Sequence, residues 1–171
     1  MYQMIKSKKS SGALAGHHKS GQRRGKKPAV GVVRYCVQSA SDNLVASEFT
    51  PAKLIDVLRG GLPFQELEDL RATFKVPMEK LAPKLGISKA TLHRRKKAGK
   101  LDAAESDRVV RLARLLGKAI EVLESGENAR KWLSSPQIGL GGAIPLDYAE
   151  TEIGAREVED LLGRIEYGVY S

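Results

Sequence analysis

The sequence carries a single cysteine, Cys36, in 171 residues. One thiol cannot close an internal disulfide, nor can it build a multi-cysteine zinc site. Cys36 therefore reads as an ordinary reduced thiol. No apolar run approaches the roughly 18 residues that a membrane-crossing helix requires. The N-terminal stretch has no apolar segment of the kind that marks a secretory signal. Acids are also missing at the start, where the first is Asp42. No Ser/His/Asp or Cys/His arrangement suggests an activated nucleophile. Gly139-Leu140-Gly141-Gly142 lacks the six-residue spacing and preceding strand of a dinucleotide fingerprint. His17, His18 and His93 have no grouping of cysteines or carboxylates with which to hold a metal. The expectation is a soluble cytoplasmic protein with no active site, no metal and no cofactor.

The charge that is present is unevenly placed. Net charge is +9, from 29 basic and 20 acidic residues. Eight of the basic residues (Lys6, Lys8, Lys9, Lys19, Arg23, Arg24, Lys26 and Lys27) lie in the first 30 positions, without one acid. Removing them leaves 21 basic against 20 acidic residues, a body near neutrality. Residues 1–29 are rich in Lys, Arg, Ser, Gly and His, and bury too little apolar surface to offset ordering entropy, so they read as a disordered arm. The remaining foldable stretch, about 120 residues, is long enough for a core.

Residues 30–50 are transitional. Val30, Val32, Val33, Tyr35 and Val37 favour extended structure. From Pro51 the apolar period becomes helical. Leu54, Ile55 and Leu58 share a face that Gly60-Gly61 ends. Leu67, Leu70 and Phe74 follow in a second helix, and Met78, Leu81, Ala82 and Leu85 in a third that Pro77 is placed to start. Asp102 with Glu105 resembles a capping box, opening a long helix to about Glu124 with the stripe Val109, Leu112, Ala113, Leu116, Ile120 and Leu123. Ala129, Trp132 and Leu133 look like helix core. Ser134-Ser135-Pro136 breaks the helix and a glycine-rich turn follows. A last helix runs from near Thr151 to Gly168, with Val158, Leu161, Leu162 and Ile165 on its inner face. Glu150, Glu152, Glu157 and Glu159 read as a solvated face. The fold class is all-α.

Leu81 to Arg95 carries the strongest local pattern. Ala82 lets two helices approach, Gly86 supplies a sharp turn, Ile87 and Leu92 fill the space between, and Ser88 caps the second helix. This reads as helix-turn-helix. Such a helix fits the major groove with its N-terminal outer residues at base edges. Lys89, His93 and Arg94 face outward near its start, with Lys97 on the same face. Thr91, Arg95 and Lys96 suit phosphates. The candidate DNA-contacting set is Ser88, Lys89, Thr91, His93, Arg94, Arg95 and Lys97. The plain alternative is an αα-hairpin with a solvated basic face. Pro83 runs against the pattern, because a proline inside a helix removes a hydrogen bond and clashes with the preceding turn. It predicts a kink, or a helix that starts later than Pro77.

From about residue 55 onward the chain resembles the Xre/MbcA/ParS antitoxins, partners of RES-domain toxins. The resemblance rests on several stretches in order: Leu85-Gly86-Ile87-Ser88 with Thr91-Leu92 and Arg94-Arg95; Glu105-Ser106-Asp107-Arg108 with Leu112-Ala113-Arg114; Ala129-Arg130-Lys131-Trp132-Leu133. Pro136, Leu140-Gly141-Gly142, Pro145-Leu146-Asp147 and Glu152 to Gly168 continue it. It covers some 110 residues and omits the basic arm and residues 30–50. It implies an Xre-like helix-turn-helix domain followed by a toxin-binding domain. It also implies a non-enzymatic antitoxin without cofactor that blocks an NAD-consuming RES toxin and represses its own operon. The inner stripe of the last helix would leave Arg156, Arg164, Glu166 and the tail residues Tyr167, Val169 and Tyr170 as the toxin-binding set.

The expected organisation is an arm and linker over 1–50, a helix-turn-helix domain for DNA binding and dimerisation over 51–100, and a toxin-binding domain over 101–171. A homodimer is expected, since one helix-turn-helix reads a short half-site and two are normally paired by a two-fold axis. The competing reading is a stand-alone DNA-binding regulator or nucleoid-associated protein without a toxin.

Overall fold

The computed structural model describes residues 31–38 and 49–169. Among them lie α1 (Val32–Gln38), α2 (Pro51–Gly60), α3 (Phe64–Phe74), α4 (Met78–Lys84), α5 (Lys89–Ala98), α6 (Ala103–Leu123), α7 (Gly126–Leu133), α8 (Pro145–Tyr148) and α9 (Glu152–Glu166), with a 3₁₀ turn at Ile138–Leu140. No strand occurs among the described residues, apart from one isolated bridge between Pro63 and Lys100. The architecture is all-α, as the periodicity predicts.

The long helix α6 is the axis of the molecule. Val109, Leu112, Ala113, Leu116 and Ala119 are all buried along it. Helices α1, α2, α3, α7 and α9 pack around it. Burying a leucine side chain stabilises by about 1.5–3 kcal/mol, so Leu112 and Leu116 each contribute on that scale to the packing. Buried residues from Val32 to Leu162 join in one cluster. The start of α6 is fixed by a reciprocal capping box. Asp102 Oδ1 accepts from the Glu105 amide at 2.7 Å, and Glu105 Oε2 accepts from the Asp102 amide at 2.9 Å. The first of these bonds is the main reason that the Asp102 carboxyl titrates below the ordinary aspartate range. Ser106, fully buried, extends the lock by accepting the Leu62 amide at 2.8 Å.

Residues 30–50 depart from expectation. Val32 to Gln38 form a helix, not extended chain. The β-branched preference is local and weak, and tertiary contacts override it here. Val32, Val33 and Cys36 share a buried face against α6 and α3. The amides of Val32 and Val33, orphaned at the start of α1, donate to the two carboxylate oxygens of Glu66 at 3.0 and 2.9 Å. Glu66 itself is buried on α3. The arm over 1–29 and the stretch over 39–48 lie outside the described residues.

Pro83 is accommodated by position. It sits next to the end of α4, a seven-residue helix that starts at Met78 with Pro77 as its N-cap. A helix this short has little ladder for a proline to interrupt. The Pro83 carbonyl accepts the Gly86 amide at 2.8 Å and closes the turn.

Candidate functional site

The helices α4 and α5 form the helix-turn-helix. Gly86 takes φ +64°, a left-handed conformation that strains other residues, and turns the chain between them. Leu81, Ala82, Leu85 and Ile87 are buried at the crossing. Arg108 of α6 donates to the Leu85 carbonyl at 2.7 Å and ties the turn to the axis helix. Ser88 caps α5 as expected: its hydroxyl oxygen accepts the Thr91 amide at 3.2 Å and its hydroxyl donates to Thr91 Oγ1 at 3.0 Å. Thr91 is half-buried.

No residue of α5 is fully buried. Lys89, His93, Arg94, Lys96 and Lys97 are exposed. None of these five forms an ion pair or side-chain hydrogen bond among the described residues. A cationic outer face over a capped helix N-terminus is attractive to phosphate.

Arg95, expected to suit a phosphate, is turned instead toward the start of α6. Its Nη2 lies 2.5 Å from Asp102 Oδ2, and its Nε lies 2.7 and 3.0 Å from the two Glu105 oxygens. The hydrogen bond to Glu105 leads the causes that hold this guanidinium more firmly charged. The reason is helical spacing. Thr91, Leu92 and Arg95 share the face turned toward the rest of the domain. Arg95 thus joins the recognition helix to the capping box of α6, and is spent within the protein.

The second surface is built by the turn after α7 together with α8 and α9. Gly139 lets the turn approach α9, since a Cβ there would meet Leu161 Cδ1 at 2.5 Å. Beside that contact a hollow of about 540 Å³ opens between the turn and α9. Pro136, Ile138, Leu161, Arg164, Ile165 and Val169 are among its lining residues. Three apolar or amphipathic side chains stand exposed nearby or on its rim: Ile138 at 98%, Tyr167 at 79% and Val169 at 54%. The inner face of α9 buries Ala155, Val158 and Leu162, while Leu161 and Ile165 are half-buried.

A charged seam holds α9 on α6. Arg111 Nε pairs with Glu152 at 3.0 Å, Arg114 with Glu159 at 3.6 Å and Lys118 with Glu166 at 2.6 Å. Arg111 also donates to the Glu150 carbonyl at 3.3 Å. The three glutamates recur every seven residues, two helical turns, so they form one row facing α6. Glu152 and Glu159 are therefore not merely a solvated face. Glu166 does not project freely either, because Lys118 holds it, and the bond raises the Lys118 pKa. Arg156 is exposed and pairs with Glu152 one turn away at 3.3 Å. Arg164 is partly buried against the hollow. Tyr170 lies outside the described residues. Sequence reading assigned no structural role to Ile138, and named Arg108 only as part of a stretch resembling the family. An isoleucine set between Pro136 and Gly139 in a turn was the available signal for the first; nothing local marks the second.

Fold and surfaces together define a helix-turn-helix protein with a second helical unit built on the same axis helix. The "Antitoxin Xre-like helix-turn-helix domain" profile matches residues 53–114. The "Antitoxin Xre/MbcA/ParS C-terminal toxin-binding domain" profile matches residues 118–168. Among similar proteins is the antitoxin Xre of Yersinia enterocolitica, 32% identical over 120 residues, which span 69% of this chain and 81% of that protein. The antitoxin Xre of Photorhabdus laumondii is 30% identical over 131 residues, 75% of this chain and 80% of its own. A Sphingobium protein named Prs ADP-ribosylating antitoxin is 30% identical over 132 residues, 71% of this chain and 83% of its own. The chain belongs to the Xre/MbcA/ParS-type antitoxin family.

Proposed function

We propose that this antitoxin binds and blocks an NAD-consuming RES-domain toxin through its C-terminal unit, and represses its own operon through α5. The observation that carries the first half is the exposed apolar group of Ile138, Tyr167 and Val169 within and just beyond the stretch matched by the toxin-binding profile. Exposed aromatic and apolar groups are a liability on a free surface and typical anchors in an interface. ADP-ribosylation draws on NAD, so the name of the Sphingobium relative supports a partner with that chemistry. Acting as a binder, the chain has no reaction of its own in this reading.

The DNA half rests on the unpaired cations of α5. In this reading Lys89, His93 and Arg94 meet base edges, with Lys97 further along the same face, while Ser88, Thr91 and Lys96 lie nearer phosphates. Two copies pair through the region of α2 and α3 so that two recognition helices meet two half-sites. The helix-turn-helix unit covers 51–100 and the toxin-binding unit 101–171. The cationic face of α5 also favours a second reading, a DNA-binding regulator that acts without a toxin.

The test is co-expression with the product of the adjacent reading frame, followed by co-purification and an NAD-depletion assay. The full chain is expected to co-purify and to stop NAD loss. Deleting residues 167–171 should restore NAD consumption while leaving operator binding intact, because they follow the core positions of α9. Equal protection by the truncated and full-length chains would move the inhibitory contact elsewhere. Operator binding with no toxin partner would favour the second reading.

A further inference from the structure

The guanidinium of Arg164 has no hydrogen bond or ion pair among the described residues, and its Nε is shielded from solvent. Arg111 Nε is likewise shielded without a hydrogen bond, but Arg111, Arg114, Lys118 and Arg156 each lie within ion-pair distance of a carboxylate, and Arg164 lies within reach of none among the described residues. A shielded N–H without an acceptor carries an uncompensated desolvation cost, which native folds rarely leave unexplained. Arg164 is also the one charged residue lining the hollow between the 136–139 turn and α9. The other walls come from Pro136, Leu161, Ile165 and Val169 together with the uncharged polar Gln137, whose Nε2 is occupied by the Trp132 and Ser135 carbonyls. Glu157, Glu159 and Asp160 border Arg164 on its other, open side. None of them lies within ion-pair distance of it, and Glu159 is engaged by Arg114.

An apolar hollow of about 540 Å³ with one unanswered cation complements a specific chemistry. The fitting group is a single carboxylate carried on an apolar surface. A basic group would meet Arg164, and a purely apolar one would leave its Nε without an acceptor. We infer that this hollow is a socket for an acidic side chain of the toxin, an aspartate or glutamate flanked by apolar residues. That carboxylate forks onto Arg164 while Ile138 and Val169 pack beside it. The inference rests on the toxin-binding reading and adds a direction to it: the partner inserts into this chain.

The test uses the full-length chain and the toxin from the adjacent reading frame, with affinity measured by calorimetry. Arg164→Gln should weaken binding by about tenfold or more, as expected when one partner of a desolvated charge pair is removed. Arg164→Lys should recover only part of the loss, because lysine cannot offer a planar fork. Ile138→Asp should weaken binding comparably, since it sets a competing acid at the rim. Ile138 is almost wholly exposed, so this variant keeps the test decisive even where an Arg164 variant misfolds. Arg164→Glu should bind poorly and regain affinity with one acid-to-arginine reversal on the toxin. Suppose that deleting 167–171 abolishes binding while Arg164→Gln and Ile138→Asp bind like the parent. The toxin-binding reading then stands and the socket is overturned. If neither the deletion nor the substitutions change affinity, or no toxin binds, both are overturned.

Discussion

Arg95 shows how one side chain can change role between sequence and structure. In a run of Arg94-Arg95-Lys96-Lys97 every cation looks alike. In the fold, Arg95 alone of the four reaches Asp102 and Glu105. Its pairing was not legible because one acid sits seven and the other ten positions onward, across a turn whose geometry the spacing does not reveal. The distinction has a measurable sign. Lys89→Ala with Arg94→Ala should weaken DNA binding and reduce its salt slope, with Arg94→Ala costing about 1–3 kcal/mol if it reads a guanine. Arg95→Gln should weaken binding with the salt slope unchanged, because no phosphate contact is lost. A slope that falls by about one for Arg95→Gln would return it to the phosphate set. Cys36 makes a second residue-scale case. Burial pushes its thiol up to about 11, with Glu66 adding to the rise and Arg114 opposing it. The unfolded thiol ionises near 8.5, so between that pH and about 11 the unfolded state sheds a proton that the folded state keeps. Stability is therefore present below about pH 8.5 and declines as pH rises toward 11, by an amount on the order of 3 kcal/mol. Denaturation midpoints across that range should fall for the parent and flatten for Cys36→Ala. Equal alkaline slopes would show that other groups set the decline.

At the level of elements, α3, α5, α6 and α9 were legible and α1 was not. Helices α3, α6 and α9 carry apolar residues at helical spacing, α5 and α6 begin at the N-cap signals Ser88 and Asp102, and glycine lies near several ends. The helix α1 carries Val-Val-Arg-Tyr-Cys-Val, a string with extended preference, and is stabilised from elsewhere. Its amides bond to Glu66, more than thirty residues away, and its buried face lies on α6. The short helix α8 and the 3₁₀ turn escaped for another reason, since elements of four and three residues show no period to read. Glu66→Ala removes both acceptors at the head of α1 and opens a buried site. Hydrogen exchange at Val32–Cys36 should accelerate well before exchange at Val109–Leu116, and the variant should lose about 1–3 kcal/mol. Uniform acceleration through both segments would mean that α1 and α6 open as one unit. Glu66→Gln, which keeps one acceptor oxygen, should fall between the two.

Across the whole molecule the seam between α6 and α9 invites overestimation. Its ion pairs are partly exposed, and such pairs contribute about 0–1 kcal/mol each. Lys118→Ala should therefore shift the melting temperature only slightly, whereas Val158→Ala or Leu162→Ala should cost several-fold more through cavity formation. A large loss for Lys118→Ala would assign the seam a structural weight that exposed pairs rarely have. The helix α2 has a different standing: it contributes no fully buried residue, and Ile55 remains 48% exposed. Pairing of two copies through this region predicts a dimer by light scattering at micromolar concentration and a monomer for Ile55→Glu. A monomeric parent would overturn the pairing. The two family matches, 53–114 and 118–168, meet inside α6, a continuous helix of 21 residues. Neither half has a lining of its own at that boundary, because the same helix turns Val109 and Leu112 into one packing cluster with Val158 and Leu162. The described chain accordingly has no severable joint there. A protease that finds Arg111, Arg114 or Lys118 finds them wound into a ladder of hydrogen bonds, and must wait for the helix to melt. Once it has melted, the helix-turn-helix half and the toxin-binding half lose their common wall together. Clipping at that point should leave no fragment in which the helix-turn-helix half stays folded without the other.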